Sequence, residues 1–347
     1  MNHEIFMKRC FELAEIARGR VSPNPMVGAV LVHNGIIIGE GYHEYFGGPH
    51  AEVNCINAVL QENRSLIAES TLYVSLEPCN HHGKTPPCTD LILNNRIPEV
   101  VVACTDPNSL VQGVGIERLR LNGVKVVTNV LQKKAESLNA AFFSFHQKKR
   151  PFVLLKWAQT SDGKISDNGT TPLKITNRLT DTMVHRWRSE TDAIMIGTNT
   201  LLKDNPSLTN RKWYGKNPLR LAIDMDVQST FQFNIYDDKA PTIIFNSKRS
   251  ETIANVEFVQ ISFDGSWVSS ILEFLYNRNV QTLLVEGGTS LLQSFIDENI
   301  WDECRVITNT KQMAGEGTKA PLLPSDNLIN TTYVRNDRIE VYQKQKT

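Results

Sequence analysis

The chain has 347 residues, 41% hydrophobic and 21% charged, which is a globular composition and excludes disorder for the bulk of it. Lysine plus arginine and aspartate plus glutamate number 37 each. Residues 1–146 carry 12 basic and 14 acidic side chains and residues 147–347 carry 25 and 23, so neither half has the positive excess that a long nucleic acid demands.

At roughly 100–200 residues per domain, the length predicts two domains. No apolar run reaches the ~18 residues that span a bilayer. The polar opening Met1-Asn2-His3-Glu4 does not read as a signal peptide. Six cysteines are too sparse for a disulfide scaffold, so the expected home is the cytoplasm, with reduced thiols.

In chain order, Phe6, Cys10, Leu13 and Ala17 recur at helical spacing. Two short apolar runs, 27–32 and 36–38, flank Asn34-Gly35, a hairpin turn signal. A helix is expected over 51–60, a strand over 71–76, a helix around 91–93 and a strand over 99–103. Then come a helix through Ile116, Leu119 and Leu121, a strand over 124–127 and one long helix from 131 to about 145. Such alternation predicts an α/β sheet with helices on both faces. The polar, basic segment 147–150, closed by Pro151, reads as a solvated linker between a domain over 1–146 and another over 151–347. The second half predicts strands at 152–157, 193–196, 219–223, 242–245 and 282–285. Its helices are expected at 178–188, 267–276 and 290–296.

Chemistry concentrates in three pieces of the first half: His50-Ala51-Glu52, Pro78-Cys79 and Pro87-Cys88. One imidazole and two thiolates suit tetrahedral zinc, and three protein ligands leave a fourth position for water, the mark of a catalytic site. Zinc lowers the pKa of that water toward ~7. Glu52, two residues past His50, is placed to take the proton and pass it to a leaving amine. The His-x-Glu…Pro-Cys…Cys order is that of zinc nucleobase deaminases. Here eight residues separate Cys79 from Cys88 where two are usual, which requires a loop. Its two histidines and Lys84 can meet an anionic substrate group. The competing readings are buried core thiols and a structural zinc closed by His81 or His82. Cys10, Cys55, Cys104 and Cys304 read as core fillers.

The second half lacks Gly-x-Gly-x-x-Gly, which gives no support to a standard Rossmann dinucleotide site. Glu286-Gly287-Gly288-Thr289-Ser290 nevertheless reads as strand, glycine turn and helix start, where backbone N–H groups can approach a pyrophosphate.

Several strings together resemble the bifunctional riboflavin-biosynthesis deaminase–reductase family. They are Pro23-Asn24-Pro25-Met26-Val27-Gly28, Gly41-Tyr42-His43, His50-Ala51-Glu52-Val53, Leu76 to Cys88 in full, and Thr105-Asp106-Pro107-Asn108. In the second half they are the run from Leu155 to Lys164, Ile175-Thr176, Gly197-Thr198-Asn199-Thr200, and Asp204 to Thr209 followed by Arg211. The resemblance runs in order from Met1 to at least Asp302. It implies a cytidine-deaminase-like three-layer domain followed by a dihydrofolate-reductase-like domain. The implied substrate is 2,5-diamino-6-(5-phosphoribosylamino)pyrimidin-4(3H)-one, deaminated at the carbon bearing the 2-amino group. NADPH then reduces the ribosyl group to ribityl by hydride addition at the sugar C1.

By the same resemblance, one zinc per chain is held by His50, Cys79 and Cys88, with Glu52 catalytic. Asn24, His43, His81, Lys84, Asp106 and Asn108 line the deaminase substrate site. Ala158, Thr200, Asp204, Gly288, Thr289, Ser290, Leu291, Leu292, Gln293 and Ser294 contact NADPH. Arg188, Leu208, Arg211 and Glu286 contact the reductase substrate, the arginines at its phosphate. Lys174 and Pro172 depart from relatives that carry tryptophan and serine there, so those contacts do not transfer. A homo-oligomer through the reductase half is implied by analogy. The rival expectations are a nucleic-acid or nucleoside deaminase with an accessory domain, and a zinc-stabilised scaffold that binds a metabolite.

Overall fold

A computed structural model describes residues 2–81, 86–109, 111–167, 169, 171–324 and 328–344. The chain divides into two units, Met1–Lys149 and Arg150–Thr347.

In the first unit, α1 (His3–Glu15) precedes the hairpin of β1 (Gly28–His33) and β2 (Ile36–Tyr42). Asn34 and Gly35 both take positive φ, as the Asn-Gly signal predicts for a tight primed turn. There follow α2 (Ala51–Asn57), a 3-10 helix (Gln61–Glu69), β3 (Thr71–Val74), α3 (Cys88–Asn94), β4 (Glu99–Val102), α4 (Val114–Leu121), β5 (Lys125–Val127), α5 (Gln132–Leu138) and α6 (Ala140–Lys148). The sheet order is β2-β1-β3-β4-β5, antiparallel at β2-β1 and β1-β3 and parallel beyond.

Side-chain alternation along the strands makes two cores. Val30, Val32, Tyr73 and Val101 pack with Met7, Cys10 and Phe11 of α1 and Ala135 of α5 on one face. Ala29, Leu31, Leu72, Val74, Val100 and Val102 pack with Cys55 and Ile56 of α2, Ile92 of α3 and Leu119 of α4 on the other. This is a three-layer arrangement, and its second face carries α2 and α3, which begin at the histidine and at the second cysteine of the motif.

Two expectations give way here. The helix expected over 51–60 ends at Asn57, and a 3-10 segment takes up the chain after Leu60. The single long helix is two, broken at Asn139 (φ −105°, ψ 29°). The Asn139 amide leaves the helical pattern to bracket the backbone of one residue: Oδ1 accepts from Met26 N at 2.8 Å and Nδ2 donates to Met26 O at 2.9 Å. A buried side chain that satisfies both backbone groups of another segment outweighs one turn of helix.

The second unit contains β6 (Phe152–Thr160), α7 (Arg178–Ser189), β7 (Ala193–Ile196), α8 (Thr198–Asp204), β8 (Leu219–Ile223), β9 (Thr242–Asn246), β10 (Glu251–Ile253), β11 (Val256–Gln260), α9 (Trp267–Tyr276), β12 (Thr282–Gly287), α10 (Thr289–Asp297), β13 (Glu303–Asn309), β14 (Leu328–Val334) and β15 (Asp337–Gln343). Its ten strands run in the order β10-β11-β9-β8-β7-β12-β6-β13-β15-β14. From β11 to β13 they are parallel. The central strands β7, β8, β12 and β6 read as near-continuous apolar runs because helices cover both their faces.

The basic segment at 147–150 is helical as far as Lys148, and residues 147–149 are exposed. Arg150 opens the second unit, its guanidinium donating to both Asp302 carboxylate oxygens at 2.5 and 3.0 Å. Asp302 also accepts from Val153 N, so this pair fixes the start of β6. No helix among the described residues is long and apolar enough to cross a membrane.

Candidate active sites

His50 is the residue before α2, and its ring is placed by the helix that Ala51, Cys55 and Ile56 anchor in the core. Cys88 is the first residue of α3, and Cys79 lies beyond the carboxyl end of β3. His50 Nδ1 stands 3.4 Å from each sulfur, and the three donor atoms lie within 4.8 Å of one another. Ligand atoms at ordinary zinc–nitrogen and zinc–sulfur distances, spaced tetrahedrally, lie about 3.5 Å apart. The trio therefore fits three corners of a zinc tetrahedron. His50 is held above the ordinary imidazole range by its hydrogen bond with Cys79. Cys79 is pushed down, first by the hydrogen bond from Cys88 and also by His50, as a metal-binding thiolate requires.

Glu52 stands on the first turn of α2 and is 3% exposed. Burial, with the Cys79 charge, pushes it up to about 7. A carboxyl beside a metal site and poised there can both take and give a proton.

The remaining candidates of the first unit are placed as follows. His43 is 3% exposed with both ring nitrogens engaged. Nδ1 donates to Pro49 O at 2.9 Å, and Nε2 therefore accepts from Asn24 Nδ2 at 3.1 Å. Burial lowers its pKa, which favours this neutral tautomer. Asp106 is half-buried, accepts from Asn108 N at 2.8 Å, and lies within electrostatic reach of His81 and Cys79. His81 is exposed. Lys84 falls outside the described residues.

Sequence reasoning missed two residues that hold this site. Asn139 fixes Met26, two residues from Asn24. Glu77, buried just before Pro78-Cys79, accepts from Asp106 N, Gly113 N, Gly115 N and Ile116 N at 3.2, 2.9, 3.0 and 3.3 Å. One carboxylate thus ties the first cysteine segment to the Asp106 loop and to the start of α4. Glu77 stands inside the apolar context of β3 and its exit, and a charge in such a run is the available signal.

In the second unit, β7 and β12 are adjacent and parallel; Gly287 ends β12 and Gly197 follows β7. Gly197 N donates to Gly287 O at 2.9 Å. Thr200 Oγ1 lies 3.2 Å from where a Cβ on Gly288 would stand, and Gly287 has φ +145°, which only glycine adopts readily. Thr200, Gly288, Thr289 and Ser290 thus converge at the carboxyl ends of the strands, the place where open α/β sheets bind ligands. Asp204 closes α8 and is exposed, and Ala158 lies on β6. The later members of the expected cofactor run are otherwise engaged. Leu291 and Leu292 are core residues. Gln293 accepts from Leu322 N at 2.8 Å and donates to Asp297 at 2.7 Å, and the Ser294 hydroxyl donates to Ser290 O. Leu208 is 2% exposed in the core, at φ +51°.

Arg188 and Glu286 form a buried bidentate pair, Nε–Oε1 2.8 Å and Nη2–Oε2 2.7 Å. Glu286 falls to about 2 because the Arg188 and Lys156 charges overcome its burial. The Arg188 guanidinium is thereby committed to protein, while the exposed Arg211 donates to Thr209 Oγ1 at 2.9 Å. Lys156, which no motif in the sequence marks as a site residue, lies 3.7 Å from Glu286. The register Leu155↔Val285 makes the two neighbours across β6 and β12, and a lysine inside the apolar run of a central strand is the signal. His185 Nδ1 accepts from Arg211 N at 3.0 Å, and burial with the Arg188 and Arg211 charges pushes it down to about 4.

Comparison with known proteins assigns both units. Residues 1–104 match the cytidine and deoxycytidylate deaminase zinc-binding region, and residues 151–345 match the RibD C-terminal domain. The chain is thus a two-part enzyme: a deaminase that uses zinc and a reductase that uses a nicotinamide cofactor, acting on small molecules. It is 37% identical over 340 residues to the riboflavin biosynthesis protein RibD of Aquifex aeolicus, covering 96% of this chain and 94% of that one. Its identity to the same protein of Actinobacillus pleuropneumoniae is 36%, covering 91% and 86%. Among solved structures, it superposes with a TM-score of 0.89 on the diaminohydroxyphosphoribosylaminopyrimidine deaminase/5-amino-6-(5-phosphoribosylamino)uracil reductase of Thermotoga maritima, at 39% identity and 98% coverage of both chains. Acinetobacter baumannii RibD gives a TM-score of 0.86 at 26% identity, covering 99% of both. The chain belongs to the riboflavin biosynthesis RibD family, a bifunctional enzyme with a cytidine-deaminase-like domain and a dihydrofolate-reductase-like domain.

Proposed function

We propose that the first unit, expected over 1–146, deaminates 2,5-diamino-6-(5-phosphoribosylamino)pyrimidin-4(3H)-one, and that the second, expected over 151–347, reduces the product with NADPH. The observation that carries the first assignment is the His50, Cys79 and Cys88 trio with buried Glu52 beside it. His50, Cys79 and Cys88 would hold one zinc per chain, which would acidify a bound water. Glu52 takes the proton from water and delivers it to the departing 2-amino nitrogen, so water enters and ammonia leaves. Asn24 turns its carbonyl to the pyrimidine, because its NH2 is held by His43. His43 therefore positions Asn24 and does not itself meet substrate. Asp106, Asn108 and His81 complete the site, and Lys84, outside the described residues, is assigned to the phosphate.

In the second unit, Thr200, Gly288, Thr289 and Ser290, together with Ala158 and Asp204, are the residues that would hold NADPH. The N–H groups at the start of α10 would be its backbone partners. When bound, the cofactor would supply a hydride to the sugar C1, with the C1–ring oxygen bond opening and that oxygen gaining a proton. Arg211 binds the phosphate. Arg188 orders Glu286, and with Lys156 this pair faces the sugar. Leu208 contributes its backbone and the shape of the core beneath. All six cysteines are free thiols, in keeping with a reducing cytoplasm. The edge strand β14 exposes Leu328, Ile329 and Tyr333, which supports self-association through this unit.

The test is paired: ammonia release and NADPH oxidation by the zinc-loaded chain given the diaminopyrimidine phosphate. Both are expected. Ammonia release from cytidine or a nucleic acid, with none from this substrate, would replace the assignment with the rival deaminase.

A further inference from the structure

Eight residues separate Cys79 from Cys88, a span that by itself does not fix two sulfurs in one tetrahedron. The fold closes this loop at its base. Cys88 N donates to Cys79 Sγ at 3.3 Å, and Thr89 N donates to Cys79 O at 3.2 Å. Asn80 and Thr89 each follow one of the cysteines, and their side chains meet: the Thr89 hydroxyl donates to Asn80 Oδ1 at 2.9 Å. Arg118 of α4 spans both. Its Nη1 donates to Asn80 Oδ1 at 2.7 Å and to Thr89 Oγ1 at 3.1 Å, and its Nη2 donates to Asp90 Oδ1 at 2.5 Å. A planar guanidinium has the several fixed donors this needs, which a lysine lacks. The helix that carries it is itself pinned to the first cysteine segment. Gly115 passes so close that an added Cβ would stand 2.2 Å from Pro78 O, and Glu77 accepts the N–H groups of Gly115 and Ile116.

We propose that Arg118 is a positioning residue for the metal centre: through Asn80 and Thr89 it locks the Cys79 and Cys88 segments together and sets how firmly zinc is held. The inference rests on the zinc assignment above and adds to it a residue that touches neither metal nor substrate. Groups that orient metal ligands commonly carry about 10–100-fold in metal affinity.

The experiment measures transfer of zinc from the full chain to a competing chelator, in wild type and in Arg118→Met, Thr89→Val and Thr89→Ser. Cobalt-substituted samples report ligand geometry through their visible spectrum. Far-UV circular dichroism and reduction of pre-deaminated substrate confirm folding. Arg118→Met and Thr89→Val should lose zinc about 10–100-fold more readily and show an altered cobalt spectrum. Thr89→Ser, which keeps the hydroxyl, should stay close to wild type. If Arg118→Met fails to fold, the nearly isosteric Thr89→Val decides. Folded variants that hold zinc as wild type does would overturn the inference alone. A wild-type chain that takes up no zinc would overturn the metal assignment and this inference together.

Discussion

At the scale of single residues, both sites rely on buried ionisable groups, each with a definite partner. Glu52 is the group whose loss should separate chemistry from structure. Glu52→Gln is expected to cut deamination by about 10²–10⁴-fold while zinc content and the reductase step stay unchanged, since a positioned proton carrier contributes about that much. A variant that deaminates at the wild-type rate would remove Glu52 from the mechanism. His185 gives a pH signature in the second unit. It is buried beside Arg188, Arg211, Lys212 and Glu286, and folding holds it near 4 against about 6.5 when unfolded. The unfolded chain therefore binds a proton that the folded one refuses between those values. Its contribution to stability is complete above about pH 6.5 and is lost as pH falls toward 4. Thermal unfolding of wild type should become steeply pH-dependent across that window. His185→Asn, which keeps an acceptor near Nδ1, should flatten the slope, and equal slopes would refute the assignment.

Helices and strands show what the sequence could and could not display. The zinc trio was legible because its ligands sit in short local motifs, His50 and Cys88 at the starts of two helices and Cys79 past the end of β3. The strands of the second sheet were legible from β6 to β9 and at β12, where burial on both faces makes continuous apolar runs. β10, β11, β13, β14 and β15 were not; β14 faces outward along most of its length and carries no alternation. The break at Asn139 was hidden for a different reason: its cause is a hydrogen-bonded partner 113 residues away. Glu77 and Lys156 were also hidden, because their partners are backbone groups and side chains that only the fold assembles. The close passage of α4 over Pro78 gives an element-scale prediction. Gly115→Ala must push the helix outward, and overpacking of this kind costs about 1–3 kcal/mol. The variant should melt lower and release zinc more readily than wild type, and an unchanged melting profile with wild-type zinc retention would contradict the packing described.

For the whole molecule, the two units carry separate chemistries on separate sheets. Removing zinc should therefore abolish ammonia release and leave reduction of an already deaminated substrate intact, and zinc should restore the first step. Loss of both steps on chelation would contradict this division. The most direct test of the complete assignment is the mass of the product after the zinc-loaded chain is incubated with the diaminopyrimidine phosphate and NADPH. The account predicts one product in which an NH has been exchanged for an O and two hydrogens have been added to the sugar. A product that is deaminated but not reduced, or a substrate recovered unchanged from zinc-loaded protein, would contradict it.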